Sequence, residues 1–275
     1  MVMRRTAIFI LLGLTALAGL ALWKGLAWRE AGMAGRNGRM PMTAADRPEI
    51  CEEKTFEGAR AILCVIDPAA YEIRLAYRDG EGRPHGSVKQ AVAALEAEGR
   101  TPVLAMNAGM YHSDMLPVGL YVEDGAELSA LATGGGFGNF FLKPNGVFFI
   151  RDNGTAWVME TEAYQRAGIA PRHATQSGPM LVIDGDIHPR FLPDGTTRYI
   201  RNGVGVRKDG AVVLAITREE VSLGSFGRLF RDVANCPNAL FFDGAVSSLA
   251  WGAEMEIDSG EPAGPIVAVF SKPVD

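Results

Sequence analysis

The stretch NCPNALFFDGAVSSLAW, residues 235–251, decides how the rest of the chain is interpreted. Residues 239–242 are apolar and predict a buried strand, which breaks at Asp243-Gly244 before a loop of small residues. Asp is rare inside strands, so a carboxylate placed directly after four apolar residues is expected to project from a rigid strand end. Loops at such ends often carry binding and catalytic groups. Asp243 is therefore a candidate functional acid.

A structural alternative explains the same two residues. Asp-Gly and Asn-Gly pairs recur in this sequence at positions typical of hairpin turns, and Gly244 can adopt a positive φ. The sequence alone supports both interpretations equally. If Asp243 is only a turn residue, the next carboxylates to test are Glu219, Glu220 and Asp232.

Length and composition fit one large domain with an N-terminal extension. The 275 residues include 48% hydrophobic residues, 33 Gly and 15 Pro, which is typical of a folded, strand-rich and turn-rich protein. The formal net charge is −5 and no long run of Lys or Arg occurs, so no nucleic-acid partner is predicted.

The N-terminal segment predicts export. Residues 1–28 form a signal peptide or signal anchor, because an Arg pair precedes an uninterrupted apolar run over residues 7–23. Retention as an anchor is favoured, although an Ala-Leu-Ala stretch offers a cleavage site. Residues 29–48 are polar and rich in Gly and Pro, which favours a flexible linker to the membrane. Residues 49–275 are then expected in the periplasm or elsewhere outside the cytoplasmic membrane.

The remaining pattern predicts a single α+β domain, a mixed, strand-rich sheet system with two main helices. Short apolar or alternating runs separated by Asp-Gly and Asn-Gly pairs predict a series of hairpins. Ser87 predicts the start of the first helix, which ends at Gly99, and Ser225 predicts the start of the second. Residues 160–167 are a candidate short helix.

The cysteines suggest a disulfide and argue against a metal. Cys51 and Cys64 are predicted to lie opposite each other in a hairpin that turns at Glu57-Gly58. In an oxidising compartment they can be joined, whereas in the cytosol they would be small apolar side chains. Cys236 is left over and is expected to be buried. The three cysteines lack metal-ligand spacing, so no zinc site is predicted.

A second polar strand end follows the first helix. Residues 102–106 predict a buried strand, and its end delivers Asn107, Tyr111 and His112 into a loop. The order of helix, strand and polar loop found at Asp243 thus occurs twice. We expect Asn107 and Asp243 to line one cleft, by extension from open parallel sheets, whose sites lie beyond the carboxyl ends of strands.

Motifs of the common enzyme classes do not occur. Glycine-rich residues 134–138 lack GxGxxG spacing and a following Lys, so no nucleotide loop is predicted. Ser177 does not stand in a nucleophile elbow, and the four histidines are scattered. Among them, His112 and His188 are of interest because they adjoin polar loops. No metal and no cofactor are predicted.

Five blocks together resemble the phosphodiester glycosidase family, the domain of the lysosomal "uncovering enzyme". They are MNAGMY (106–111), FFLKPNGVFF (140–149), QSGPML (176–181), RNGVGV (201–206) and NALFFDG (238–244). The resemblance covers roughly residues 50–270 and implies cleavage of N-acetylglucosamine or a similar sugar from a phosphodiester. Many bacterial members are assigned to exopolysaccharide biosynthesis. Many members also have a second Gly where this chain has Ala245, and the added methyl group is expected to narrow the loop.

The chemistry of a sugar phosphodiester suits these residues. Its leaving group is a phosphate monoester, a stable anion, so stabilisation of phosphate matters more than a strong acid. Asp243 is the expected base or nucleophile, and Asn107 is expected to orient it or to bind sugar hydroxyls. Arg201, ahead of Arg198, is the candidate for the phosphate, with a solvated surface Arg as the alternative. The other expected substrate-binding residues are Gln176, Ser177, Tyr111, His112 and Ser247.

Hydrolysis of a sugar-phosphate diester in envelope or exopolysaccharide metabolism is the predicted function. The rivals are a non-catalytic glycan-binding or assembly protein of the envelope and a transferase that moves the sugar to another hydroxyl. The expected partner is a carbohydrate or sugar-phosphate substrate, with the membrane reached only through the N-terminal segment.

Overall fold

The computed structural model describes residues 47–273. The predicted signal segment, residues 1–28, and nearly all of the predicted linker lie outside these residues, so neither prediction is tested. Within residues 47–273, no helix has both the length and the apolar character needed to span a bilayer.

Strands dominate the described chain. Residues 47–273 contain seventeen strands, numbered here in chain order: β1 (Cys51–Phe56), β2 (Ala59–Ile66), β3 (Tyr71–Ala76), β4 (Leu104–Asn107), β5 (Tyr121–Glu123), β6 (Ala126–Ser129), β7 (Gly146–Ile150), β8 (Ala156–Glu160), β9 (His173–Ser177), β10 (Met180–Ile183), β11 (Asp186–Ile187), β12 (Asn202–Val206), β13 (Val212–Thr217), β14 (Asn238–Phe241), β15 (Leu249–Trp251), β16 (Glu254–Ile257) and β17 (Ile266–Ser271). The same residues contain three α-helices, α1 (Val88–Ala97), α2 (Thr161–Ala167) and α3 (Leu223–Arg228), the last of which continues as a π-helical turn (Leu229–Val233). The predicted strand-rich α+β domain is confirmed, and its two main helices are α1 and α3.

Three sheets share these strands, and every strand pairing in the described part of the chain is antiparallel, not mixed. Sheet A has the order β1-β2-β13-β12-β14-β10-β11, sheet B the order β16-β15-β4-β17-β3, and sheet C the order β6-β5-β9-β7-β8. One helix packs on each sheet: α3 on sheet A, α1 on sheet B and α2 on sheet C. The sheets also pack on one another: β12 and β14 of sheet A contact β8 of sheet C, and β3 of sheet B contacts β5 and β9 of sheet C. Strands such as β7, β9, β12 and β13 are therefore buried along their whole length.

Short turns set the registers of the hairpins. Glu57, Asp124 and Asp184 each precede a Gly, and all three have φ near +50°, as does the first central residue of a type I′ turn. The predicted series of hairpins includes β1–β2, β7–β8 and β12–β13, each of which is an antiparallel pair in the structure. The Gly-containing pairs in the sequence therefore predicted the positions of these hairpins correctly.

The helix starts follow side-chain capping. Ser87 caps α1 as predicted by accepting a backbone N–H at 3.1 Å, and Gly99 follows its end at φ 81°. The second main helix begins three residues earlier than predicted, because Ser222, not Ser225, is the cap and accepts the N–H of Ser225 at 3.1 Å. Leu223 packs against the core of sheet A, which places the first helical turn at that residue.

Cys51 and Cys64 lie opposite each other across β1 and β2 and are joined by a disulfide. Cys236 is free and buried, also as predicted.

Thiol titration tests this pairing. Full-length protein from an oxidising compartment, denatured without reductant, should show one thiol, that of Cys236, and three after reduction. Reduction should lower the free energy of unfolding by up to about 3 kcal/mol, because the bond restricts the unfolded chain over a short loop. The double variant Cys51→Ser, Cys64→Ser should be insensitive to reductant. Three thiols before reduction would show that the bond is absent.

Candidate active site

Strand ends from all three sheets meet around Asp243. Asp243 follows β14 of sheet A, Asn107 ends β4 of sheet B, and Ser177 ends β9 of sheet C. Asn107 Nδ2 donates to the carbonyl of Asp243 at 3.2 Å, and Ser177 Oγ donates to the carbonyl of Phe242 at 3.0 Å. The predicted convergence of Asn107 and Asp243 is confirmed, although the two belong to different sheets.

Asn202, at the start of β12, joins the strand ends that meet around Asp243, and we call this meeting point the junction. Its Nδ2 donates to the carbonyl oxygen of Asn107 at 2.7 Å and to Asn107 Oδ1 at 3.0 Å, while its Oδ1 accepts the N–H of Asp243 at 3.3 Å. Asn107 Oδ1 also accepts the N–H of Ser248 at 2.9 Å. Both asparagines are almost fully buried. The backbone of Asp243 is thus bonded at its N–H and at its C=O to two buried amide side chains.

Asn202 was not among the predicted site residues. Its neighbour Arg201 drew attention because it is charged, yet an Asn among the apolar and glycine residues of a strand is the same signal that identified Asp243. A polar residue that is unfavourable in a strand and still occurs there usually has a buried partner.

Asp243-Gly244 does not form a hairpin turn. Neither residue has a positive φ, in contrast to the Asp-Gly pairs of the β5–β6 and β10–β11 turns, and the next strand, β15, pairs with β4 in another sheet. Gly is needed at position 244 for space, since a Cβ there would lie 2.9 Å from the carbonyl oxygen of Ile200. Ala245 is exposed and has no positive φ, so its methyl group meets no backbone strain.

The carboxylate of Asp243 has one fixed oxygen and one open oxygen. Oδ1 accepts the N–H of Ala245 at 3.2 Å, whereas Oδ2 makes no hydrogen bond in the described chain and reaches solvent. Burial raises the pKa of Asp243 above its ordinary 3.8, and the Ala245 N–H opposes this shift only in part. A poorly solvated carboxylate with an open oxygen can accept a proton from water or act as a nucleophile.

Tyr111 lies beside this carboxylate. Its hydroxyl donates to the carbonyl of Pro262 at 2.6 Å, and its pKa is raised to about 12, first by burial and then by the negative charges of Asp243 and Glu261. Glu261, in the loop before β17, is therefore a second carboxylate of this region. The surrounding polar segment gave no sign that Glu261 differs from a solvated surface acid. His112 is exposed next to Tyr111.

Two residues that were predicted to bind substrate, Ser247 and Gln176, instead make hydrogen bonds that hold the protein chain around the site. The buried hydroxyl of Ser247 lies 3.2–3.4 Å from four oxygen acceptors of the junction. The buried amide of Gln176 makes four hydrogen bonds, two through each polar atom, which uses its full capacity. These bonds hold Leu120 and Ala132 against β9 and leave Gln176 no free group for a ligand.

Arg201 points to the face of β12 that is turned away from the amide pair. Its Nε donates to the carbonyl of Val221 at 2.7 Å and its Nη2 to that of Thr197 at 3.1 Å, while its Cζ lies 5.6 and 5.3 Å from the ring centroids of Tyr199 and Phe241. Only 1% of Arg201 is exposed, and burial lowers its pKa to about 10, so it remains cationic at neutral pH. No carboxylate of residues 47–273 pairs with it.

Other residues considered from the sequence lie elsewhere. His188 is buried, stacks on Phe191 at 4.6 Å, and has its pKa lowered by burial. The alternative carboxylates Glu219 and Asp232 are solvent-accessible, and each pairs with an arginine. In the part of the chain that the structure describes, no three His, Cys, Asp or Glu side chains are arranged to hold a metal.

A family model and a bacterial relative match this chain. The family model of the phosphodiester glycosidases matches residues 100–269. The Escherichia coli (strain K12) protein YigE, described as uncharacterized, is 30% identical over 184 residues, which are 67% of this chain and 71% of YigE.

Two solved structures share the fold. The catalytic domain of zebrafish N-acetylglucosamine-1-phosphodiester alpha-N-acetylglucosaminidase, auto-inhibited by its pro-peptide, matches 81% of this chain and 82% of that chain with a TM-score of 0.56 and 13% identity. A protein from Burkholderia pseudomallei K96243 matches 77% of this chain and 74% of its own with a TM-score of 0.54 and 12% identity. At these identities the likeness is one of fold.

Asn202→Asp tests the amide junction. The change keeps the shape of the side chain but replaces the Nδ2 donor with an oxygen that faces two acceptors of Asn107. We expect the free energy of unfolding at neutral pH to fall by about 2–5 kcal/mol in urea denaturation. Asn153→Asp is the matched control, because exposed Asn153 only accepts hydrogen bonds through Oδ1, and its change should stay within about 0.5 kcal/mol. Equal effects of the two variants would contradict a structural role for Asn202.

Asp243→Asn tests how much folding stability is lost when the Asp243 carboxylate ionises in the native protein. Because the pKa of Asp243 is raised in the folded state, ionisation is harder in the native protein than in the unfolded chain, and native stability falls as pH rises from 3.8 through the folded pKa. The variant lacks this penalty. Its stability relative to wild type should therefore increase across that pH window and then level off, as measured by denaturation at a series of pH values. Asp184→Asn, in an exposed turn, is the control, and a difference independent of pH for Asp243→Asn would contradict the raised pKa.

Proposed function

Because the chain belongs to the phosphodiester glycosidase family, we propose that it hydrolyses the bond between sugar and phosphate in a sugar phosphodiester of cell-envelope or exopolysaccharide metabolism. The proposal depends above all on Asp243, whose backbone is held by two buried asparagines while Oδ2 stays open to solvent. The name of the zebrafish enzyme, which acts on an N-acetylglucosamine-1-phosphodiester, supports the choice of substrate class.

In the proposed reaction Asp243 acts as the base for a water molecule. The water proton passes to Oδ2, the water oxygen attacks the anomeric carbon, and the bond from that carbon to the phosphate oxygen breaks. The phosphate monoester leaves with that oxygen as a stable anion, so no strongly acidic residue is required. Attack by the Asp243 carboxylate itself, followed by hydrolysis of the glycosyl ester, leads to the same products.

Arg201 would act at a distance in this reaction. Its guanidinium is committed to two carbonyl groups, and no ion pair within the described residues neutralises its charge. A buried, unneutralised cation favours an anionic substrate over a neutral one even without contact. Arg201 also fixes the chain directly before Asn202, so it has a positioning role.

The domain is proposed to work outside the cytoplasmic membrane. The Cys51–Cys64 disulfide supports this location, because such bonds persist in oxidising compartments and are rare in the cytosol. The N-terminal apolar run would deliver the domain there and hold it at the membrane.

Asp243→Asn should lower kcat/KM on an N-acetylglucosamine-1-phosphodiester by at least about 100-fold, because the variant keeps the size of the side chain but not its basicity. Far-UV circular dichroism should show an unchanged fold. Asp184→Asn, which changes an Asp-Gly pair in a true hairpin turn, should retain wild-type turnover. Near-normal turnover of Asp243→Asn on a confirmed substrate would remove Asp243 from the chemistry.

Hydrolysis in ¹⁸O-labelled water identifies the bond that breaks. Attack at the anomeric carbon should yield free sugar and an unlabelled phosphate monoester, whereas attack at phosphorus would place ¹⁸O in the phosphate. A new glycoside formed with an added alcohol would indicate a transferase. Absence of any product from a range of sugar-1-phosphodiesters would favour a glycan-binding protein.

A further inference from the structure

A groove of about 570 Å³ lies at the other end of β14 from Asp243. Its walls are the edge strand β8, the turn between β12 and β13 (residues 207–210), the β2–β3 loop (residues 67–69) and Asn238, the first residue of β14. Asn238 lies five residue-to-residue steps before Asp243, which corresponds to about 17 Å of extended chain. The groove has the volume of a small-molecule site and is distinct from the candidate active site.

Trp157 is the largest apolar residue that lines this groove. Its neighbours Ala156 and Val158 point inward and are buried, whereas Trp157 is 50% exposed on the outer face of β8. Leaving half of an indole in water forgoes a substantial part of the free energy that its burial would contribute. The flat apolar ring face is suited to pack against the C–H face of a pyranose, which leaves the sugar hydroxyls free to reach the polar rim.

The polar rim of the groove carries equal numbers of cationic and anionic side chains, and these side chains also offer hydrogen-bond donors and acceptors. Arg207 and Lys208 contribute two positive charges to the lining of the groove, and Asp67 and Asp209 contribute two negative charges. Each carboxylate accepts one backbone N–H through Oδ1, at 2.8 and 3.0 Å, and its Oδ2 has no partner in the described chain. The ammonium group of Lys208 likewise makes no hydrogen bond or ion pair with residues 47–273. Balanced charge disfavours a phosphate, a nucleic acid or an acidic membrane surface, while free donors and acceptors suit hydroxyl groups, which do both.

We propose that this groove is an accessory binding site for an uncharged saccharide. Trp157 packs against one sugar ring, the free oxygens of Asp67 and Asp209 accept hydrogen bonds from its hydroxyls, and Lys208 donates to a hydroxyl or ring oxygen. The site is independent of the reaction at Asp243, and saccharide binding here is measurable whether or not the protein hydrolyses a phosphodiester.

Calorimetric titration of the full-length protein tests the site. The probes are cellotetraose, tetra-N-acetylchitotetraose, isomaltotetraose, mannotetraose and, as the charged comparison, tetragalacturonate. We expect at least one neutral tetrasaccharide to bind, and Trp157→Ala to weaken its binding by about 10-fold or more, because the stacking surface is lost. Trp157→Phe should retain part of the affinity. Leu128→Ala is the matched control, because Leu128 is 39% exposed on β6, the opposite edge of the same sheet, and should leave binding within about twofold.

Several results would overturn the proposal. The first is no binding of any neutral probe up to roughly 10 mM, the weak end of measurable affinity. Equal binding by wild type and by folded Trp157→Ala is the second, and stronger binding of tetragalacturonate than of every neutral probe is the third. Self-association in sedimentation velocity that Trp157→Ala or Trp157→Phe abolishes would assign the groove to a second copy of the chain instead.

Discussion

The buried pair of amides, Asn107 and Asn202, is the interaction on which the candidate site depends. Two asparagines cannot be placed among apolar strands unless their polar atoms find partners, because an unsatisfied buried amide costs about 1–3 kcal/mol. The geometry that satisfies them joins β4 of sheet B to β12 of sheet A and encloses the backbone of Asp243 between them. The pair therefore favours this arrangement of the two sheets over any arrangement that would leave one of these amides unpaired.

The junction constrains the backbone of Asp243 and leaves its side chain partly unsatisfied. Both main-chain polar groups are bonded, and Gly244 closely approaches Ile200, so the strand end has little freedom. Among residues 47–273, the carboxylate receives one N–H and pairs with no cation, and burial raises its pKa. Rigid support beneath a poorly solvated reactive group is the arrangement that preorganised sites require.

Local signals in the sequence predicted the elements better than the site. Asp-Gly and Asn-Gly turns, the opposed Cys51 and Cys64, and the Ser87 cap each depend on residues close along the chain, and all were found where expected. Arg201 and Asn202 were harder to assign because neighbouring strand residues face opposite sides, and which side meets sheet B depends on contacts far along the chain. Glu261 comes near Tyr111 only through the packing of a loop, which leaves no mark in its own segment.

An antiparallel architecture also changes where polar strand ends can meet. In a parallel sheet all carboxyl ends lie on one edge, so a search for polar residues after strands finds the site. In sheet A the neighbours β12 and β14 run in opposite directions, so the residue beside the end of β14 lies at the start of β12. Asn202 occupies that start, while Asn107 and Ser177 arrive as carboxyl ends from the other two sheets. A polar residue at the beginning of a strand therefore carries as much information here as one at the end, and a search limited to carboxyl ends finds Asn107 and Asp243 but misses the residue that joins them.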